Sequence, residues 1–158
     1  MTVKADEIRR IVVGIDGSDQ ASAAMAWAAR LAKPGNSEVI VVFAVSPPMY
    51  IESGVAAPVM PPQFDQEWRA DMEKEFEGVW SKPLRDAGLR LTTVMRDGRP
   101  ASVLAEVSDE VNADVIVVGR RGRGGFATLL LGSVSHELVL HARRPVLVVS
   151  GRSDGPAR

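Results

Sequence analysis

Val115-Ile116-Val117-Val118-Gly119-Arg120-Arg121-Gly122-Arg123-Gly124-Gly125 runs from aliphatic residues straight into a loop of glycine and arginine. The aliphatic part is too short for a helix and has no polar face. It predicts a strand covered on both sides, as in a parallel sheet between helices. Ile11-Val12-Val13-Gly14-Ile15, Val39 to Val45 and Pro145-Val146-Leu147-Val148-Val149 have the same character. Leu89 to Met95 alternates instead, with Leu89, Leu91, Thr93 and Met95 on one face, which fits a less covered strand nearer an edge.

Helical patterns lie between these runs. Ser18 to Lys33 is rich in alanine, opens at a Ser/Asp cluster and stops at Pro34-Gly35. Phe64, Trp68, Met72, Phe76, Trp80 and Leu84 recur every four residues, predicting one long amphipathic helix whose last turn is bent or restarted by Pro83. Such a stripe reads as core before it reads as a cofactor box. Pro100 suits the first helical position of a helix over Ala101 to Val111, and a last helix is expected from about Ser133 to Ala142. Ser46 to Gln63 holds Pro47, Pro48, Pro58, Pro61 and Pro62, half of the ten prolines, and is expected to be an irregular stretch, either a functional flap or a plain mobile connector. Strands alternating with helices imply α/β architecture with right-handed crossovers.

The 158 residues, 46% hydrophobic and 25% charged, suit a single domain over 1–150, with a polar tail over 151–158 expected to be disordered. Nineteen basic against 20 acidic residues leave a charge of -1, so neither nucleic acid nor an anionic membrane is an expected partner. The absence of cysteine removes disulfides and thiolate chemistry. No apolar run reaches the ~18 residues of a membrane span and no leader pattern follows Met1, so the expected location is the cytoplasm.

Ligands of open α/β sheets bind beyond the carboxyl ends of the strands, where strand order reverses. Two loops there carry chemistry. Asp16-Gly17-Ser18-Asp19 follows the first strand and places a carboxylate where sugar hydroxyls can donate to it, although a turn aspartate is the plainer reading. Gly119 to Gly125 follows the fourth main strand; glycine lets N–H groups approach an anion and arginine adds charged forks. Gly132-Ser133 then opens the last helix with free N–H groups. A solvated basic loop remains the alternative for Arg120, Arg121 and Arg123. There is no Gly-Lys-Ser/Thr for a Walker A loop, and the formal match of Gly122 to Ala127 to G-x-G-x-x-A follows the wrong strand. His136 and His141 are five apart on a helix, poor geometry for a metal pair, and Ser133 reads as a cap before a nucleophile.

At these residues the chain resembles the universal stress protein family. Gly119-x-x-Gly122, nine residues, then Gly132-Ser133 is the pattern G-x-x-G-x9-G-S/T of its ATP-binding members, and Ile11 to Ser18, Ala113 to Gly119, Leu131 to Val134 and Pro145 to Val149 look like its flanking segments. The resemblance implies an open five-stranded parallel sheet of order 3-2-1-4-5, Rossmann-like, with helices on both faces. It implies that Asp16 contacts ribose, that Gly14 and Ile15 line a base pocket, and that the Ala44 backbone reads the adenine edge. Gly119, Gly122, Gly132, Ser133 and Val134 would cradle phosphates, with Arg123 reaching the terminal one. Arg120 departs from the small residue usual there and would narrow the cleft or add a phosphate contact. The expected ligand is ATP or another adenine nucleotide such as cAMP, with or without Mg2+, and the expected role is a stress-response binding module more than an efficient enzyme. Slow ATP hydrolysis or phosphoryl transfer and cAMP sensing are the alternatives. The final strand, Val146 to Val149, has only the polar tail after it, so a homodimer paired along that edge is expected.

Overall fold

A computed structural model describes residues 7–32, 36–45, 49–52, 55–58, 62–122 and 130–151. In chain order these form β1 (Arg10–Gly14), α1 (Asp19–Leu31), β2 (Glu38–Val45), β3 (Met49–Glu52), β4 (Val55–Pro58), α2 (Pro62–Glu75), a π turn (Phe76–Trp80) and α3 (Lys82–Asp86). They continue as β5 (Arg90–Asp97), α4 (Pro100–Glu110), β6 (Val115–Gly119), α5 (Ser133–His141) and β7 (Val146–Val149). The main sheet has five parallel strands in the order β5-β2-β1-β6-β7, which is 3-2-1-4-5 when its own strands are counted along the chain.

Alternation along the central strands divides the core in two. Ile11, Val13, Val39, Val41 and Val117 face α1, Phe76 and Leu84, whereas Val12, Ile40, Val42, Ile116 and Val118 face α4 and Leu138 of α5. Burial on both sides explains why these strands lack a polar period. α1 can lie close to the sheet because Ala21, Ala24 and Ala28 form its buried stripe. β5, the alternating strand, is an edge, with Leu89, Leu91 and Met95 packed on the α1 side.

Two expectations need correction. The irregular stretch contains a two-stranded antiparallel ladder, in which Tyr50 pairs with Ala57 and Met49 with Pro58. Pro58 ends its strand, where a missing N–H is tolerated, so the proline that argued against a strand only terminates one. The single long helix is interrupted. A stripe repeating every four residues outruns a 3.6-residue turn, and the wider π turn absorbs the excess. The buried Ser81 donates from both N and Oγ to the Phe76 carbonyl at 3.0 and 2.7 Å. Pro83, which has no N–H to continue the ladder, then sits in the first turn of α3. This keeps Phe76 and Leu84 buried and sets the Phe43 ring against Phe76 and Trp80, with centroids 5.9 and 5.3 Å apart. Of the tail expected over 151–158, Gly151 is described, its N–H donating to Gln20 Oε1 at 2.9 Å, and 152–158 lie outside the described residues. Among the described residues no helix is long and apolar enough to cross a membrane.

Candidate functional site

Sheet order reverses at β1, which pairs with β2 on one side and β6 on the other. After β1 the Ile15 N–H still bonds the Val42 carbonyl, at 3.0 Å, holding the chain on the sheet for one more residue. Asp16 then turns the chain: its Oδ1 accepts from the Ser18 N–H at 3.0 Å, and Gly17 supplies the left-handed step at φ 77. Ser18 caps α1, its hydroxyl accepting from the Ala21 N–H at 3.2 Å.

The loop after β6 is fastened at both ends to one residue. The Arg120 N–H donates to Val149 at 2.7 Å, while the Arg120 carbonyl accepts from the Gly132 N–H at 2.8 Å and lies 2.9 Å from the Ser135 hydroxyl. Departure and return of the loop are thus stapled together beside β7. The glycines make this possible by close approach. A Cβ on Gly119 would lie 2.8 Å from the Gln20 carbonyl of α1, and one on Gly122 only 2.5 Å from Oδ2 of Asp16. A Cβ on Gly132 would lie 3.2 Å from the Arg120 carbonyl and from the Arg121 Cα. The first atoms such side chains meet belong to the protein's own loops and helix. Gly132 caps α5 and makes no side-chain hydrogen bond to the N–H groups of its first turn.

Between these loops lies a cleft of about 490 Å³. Val42, Ala44, Pro100, Leu104 and Val118 give it an apolar floor, and Asp16, Ser18, Arg121, Gly122, Gly132 and Ser133 a polar rim. Of the residues proposed from sequence, Gly14, Ile15, Asp16, Ala44, Gly119, Gly122, Gly132, Ser133 and Val134 line this one cleft. Arg120 does not; its main chain is the staple. Arg123 lies outside the described residues. Apart from Ala44, sequence reasoning missed the floor. Val42 is two residues from Ala44 on a strand and therefore on the same face, a usable signal. Leu104 arrives from α4 and Ser135, buried in α5, through tertiary packing, and neither has a local signal.

Among the described residues, Asp16 and Arg121 are the only charged residues of the lining. Among the described residues no group of three or more His, Cys, Asp or Glu is arranged to hold a metal ion, and His136 and His141 are exposed on α5. A second hollow at the amino ends of the strands is polar throughout; there Asp114 Oδ2 accepts the Arg9 and Arg10 N–H groups at 2.7 and 2.9 Å, tying the chain before β1 to the turn before β6.

Comparison with known proteins agrees with this fold. A model of the universal stress protein family matches residues 7–150. The chain is 31% identical over 146 residues to universal stress protein MJ0531 of Methanocaldococcus jannaschii, covering 89% of this chain and 81% of that one. Among solved structures, the protein MJ0577 superposes with a TM-score of 0.74 at 20% identity, covering 95% of this chain and 100% of its own. A universal stress protein crystallised in complex with cAMP superposes with a TM-score of 0.68 at 26% identity, covering 92% and 99%.

Proposed function

The chain belongs to the universal stress protein family, and on that premise we propose that its cleft binds an adenine nucleotide. One observation carries the reading: a carboxylate, the start of a glycine-arginine loop and the glycine-capped N-terminus of α5 converge over an apolar floor in a hollow of about 490 Å³. That size suits a ligand of nucleotide dimensions. The parts divide by chemistry. The apolar floor suits a base, with Gly14 and Ile15 as its wall and the Ala44 main chain at the adenine edge. Asp16 suits ribose hydroxyls, which can donate to it, and would repel phosphate. The first turn of α5, with Ser133 and Val134, suits an anion, as does the main chain at Gly119, Gly122 and Gly132. The relative seen with cAMP supports the ligand class.

Within that class we read ATP as the principal ligand, from the spacing Gly119-x-x-Gly122-x9-Gly132-Ser133. cAMP is the second reading. A Mg2+ accompanying ATP would draw mainly on phosphate oxygens and water, with Asp16 the one carboxylate of the described lining to assist. The protein acts as a nucleotide-dependent binding module: the described lining offers no histidine and no second carboxylate to activate water. The same proposal places it in the cytoplasm as a homodimer joined along β7, an edge strand with no second partner among the described residues. The test is mass spectrometry of ligand released from freshly purified protein, followed by calorimetric competition between ATP and cAMP. Failure of both, and of adenosine, to bind would overturn the reading.

A further inference from the structure

We infer that Trp27 anchors the association of two copies of this chain, packing against its own counterpart across a two-fold beside β7; this rests on the β7-edge dimer proposed above. Few large hydrophobic side chains are exposed among the described residues, and Trp27, at 42%, is the one aromatic of that group. Its place on α1 follows from Gln20. The Gln20 Oε1 accepts the Gly151 N–H at 2.9 Å, so that flank of the helix faces the end of β7. Trp27 is seven residues further on, close to two full turns, and lies on the same flank. The Arg30 guanidinium stacks on the indole, 4.8 Å from its centroid, and limits the rotation of an otherwise exposed ring.

Level along the strand matters as much as flank. α1 runs opposite to the strands, since it starts after the carboxyl end of β1 and leads to the amino end of β2. Seven residues carry Trp27 about 10 Å down the helix from Gln20, a distance that about three strand residues cover, so the indole stands at the level of Val148. A two-fold that pairs β7 with an antiparallel copy passes the middle of this four-residue strand, half of an about 4.8 Å strand spacing beyond it. An indole at that level and on that flank faces the axis, where it meets itself. On the other face of the sheet, Glu137 of α5 pairs with Arg99 at the start of α4, at 3.0 Å. Val139, about 200° further round α5, is therefore on the flank away from α4 and beside β7, and it is 54% exposed. A two-fold copy supplies a strand for the edge and covers apolar carbon on both faces at once, which is the self-complementarity a dimer requires.

The test is sedimentation of the full chain as wild type, Trp27→Glu and Trp27→Lys, with melting measured on the same samples. Each charged variant should stay folded, because the side chain is exposed, and should raise the dimer dissociation constant at least about tenfold. An equimolar mixture of the two should associate at least about threefold more tightly than either alone, since opposite charges then meet at the axis. The chain has no cysteine, so a single thiol gives a second measurement that does not depend on affinity. A short bismaleimide should link Trp27→Cys to its own copy and spare Ser22→Cys, which is exposed on the opposite flank of α1. A wild-type monomer overturns the β7 dimer and this inference with it. A wild-type dimer that both charged variants retain, a mixture no tighter than its components, or linking of Ser22→Cys as readily as Trp27→Cys overturns the Trp27 contact and leaves the main-chain edge standing.

Discussion

The main chain of Gly122 packs so closely against Asp16 that a Cβ there would come within 2.5 Å of the carboxylate Oδ2. The glycine loop after β6 therefore rests on the one acidic side chain at the end of β1, and the two halves of the switch point are a single contact. Asp16 cannot simply retreat, since its other oxygen holds the Ser18 N–H at the start of α1.

Gly122→Ala should accordingly disturb the cleft more than the fold. Gly122 is exposed and belongs to neither half of the core. Affinity for ATP and for adenosine should both fall by about tenfold, because the carboxylate proposed to face ribose is displaced, while the melting temperature moves little. Gly119→Ala is the contrasting case. Its Cβ would meet the main-chain carbonyl of Gln20 at 2.8 Å, and pushing α1 off the sheet should cost about 1–3 kcal/mol of stability. Melting and binding measured on the same samples distinguish the two, and unchanged affinity per folded Gly122→Ala molecule would refute the first.

Ser133→Glu places a negative charge at the mouth of α5. A glutamate in a first helical turn suits the helix dipole, so the fold should be kept. Against a phosphate-bearing ligand the same charge is repulsive, and ATP binding should weaken by at least about tenfold while adenosine is spared more. Parallel titrations with the two ligands check this.

Turnover of ATP should be slower than about one per second, because Asp16 is the only carboxylate of the described lining and is already hydrogen-bonded to the chain. Faster hydrolysis in a clean preparation, abolished by Asp16→Asn, would reassign the protein as an enzyme.

The proposed dimer makes a backbone-level prediction. Pro145 and Val149 turn their carbonyls to β6, accepting from Ile116 and Arg120, so the alternate residues Val146 and Val148 direct theirs outward. Val148→Pro removes one outward donor without touching the β6 ladder, and edge strands tolerate proline there. Sedimentation should show wild type as a dimer and this variant as a folded monomer. A wild-type monomer at micromolar concentration would end the dimer proposal.

The fork of Arg96 on Glu110, at 2.8 and 2.9 Å, ties β5 to α4. That hydrogen bond holds the Glu110 carboxyl below its ordinary range and raises Arg96. A carboxyl depressed in the folded state stabilises above its unfolded value, about 4.3, and loses that contribution as pH falls through the folded value. The melting difference between wild type and Glu110→Gln should therefore be present near neutral pH and close below about pH 4. A difference independent of pH would assign it to something other than the ion pair.

The alternation of buried strands with helices was legible because burial on both faces writes itself into composition: Val12 and Val13 point opposite ways and both are apolar. The π turn and the β3–β4 ladder were not. The first is a phase correction that an every-four stripe conceals, and the second rests on main-chain pairing that side-chain pattern barely reports.

Within the cleft the same division holds. The glycine spacing and Asp16 stand in the sequence because a loop that approaches another backbone closely must do without side chains, and a strand end at a switch point is a local feature. Which segments meet around the cleft has no local cause. It follows from the Arg120 main chain being taken by Val149, Gly132 and Ser135, partners 29, 12 and 15 residues further along the chain, and from Leu104 and Val42 closing the floor from another helix and strand. Local chemistry determined what kinds of groups are available; only the packing of distant segments decided which of them face one another.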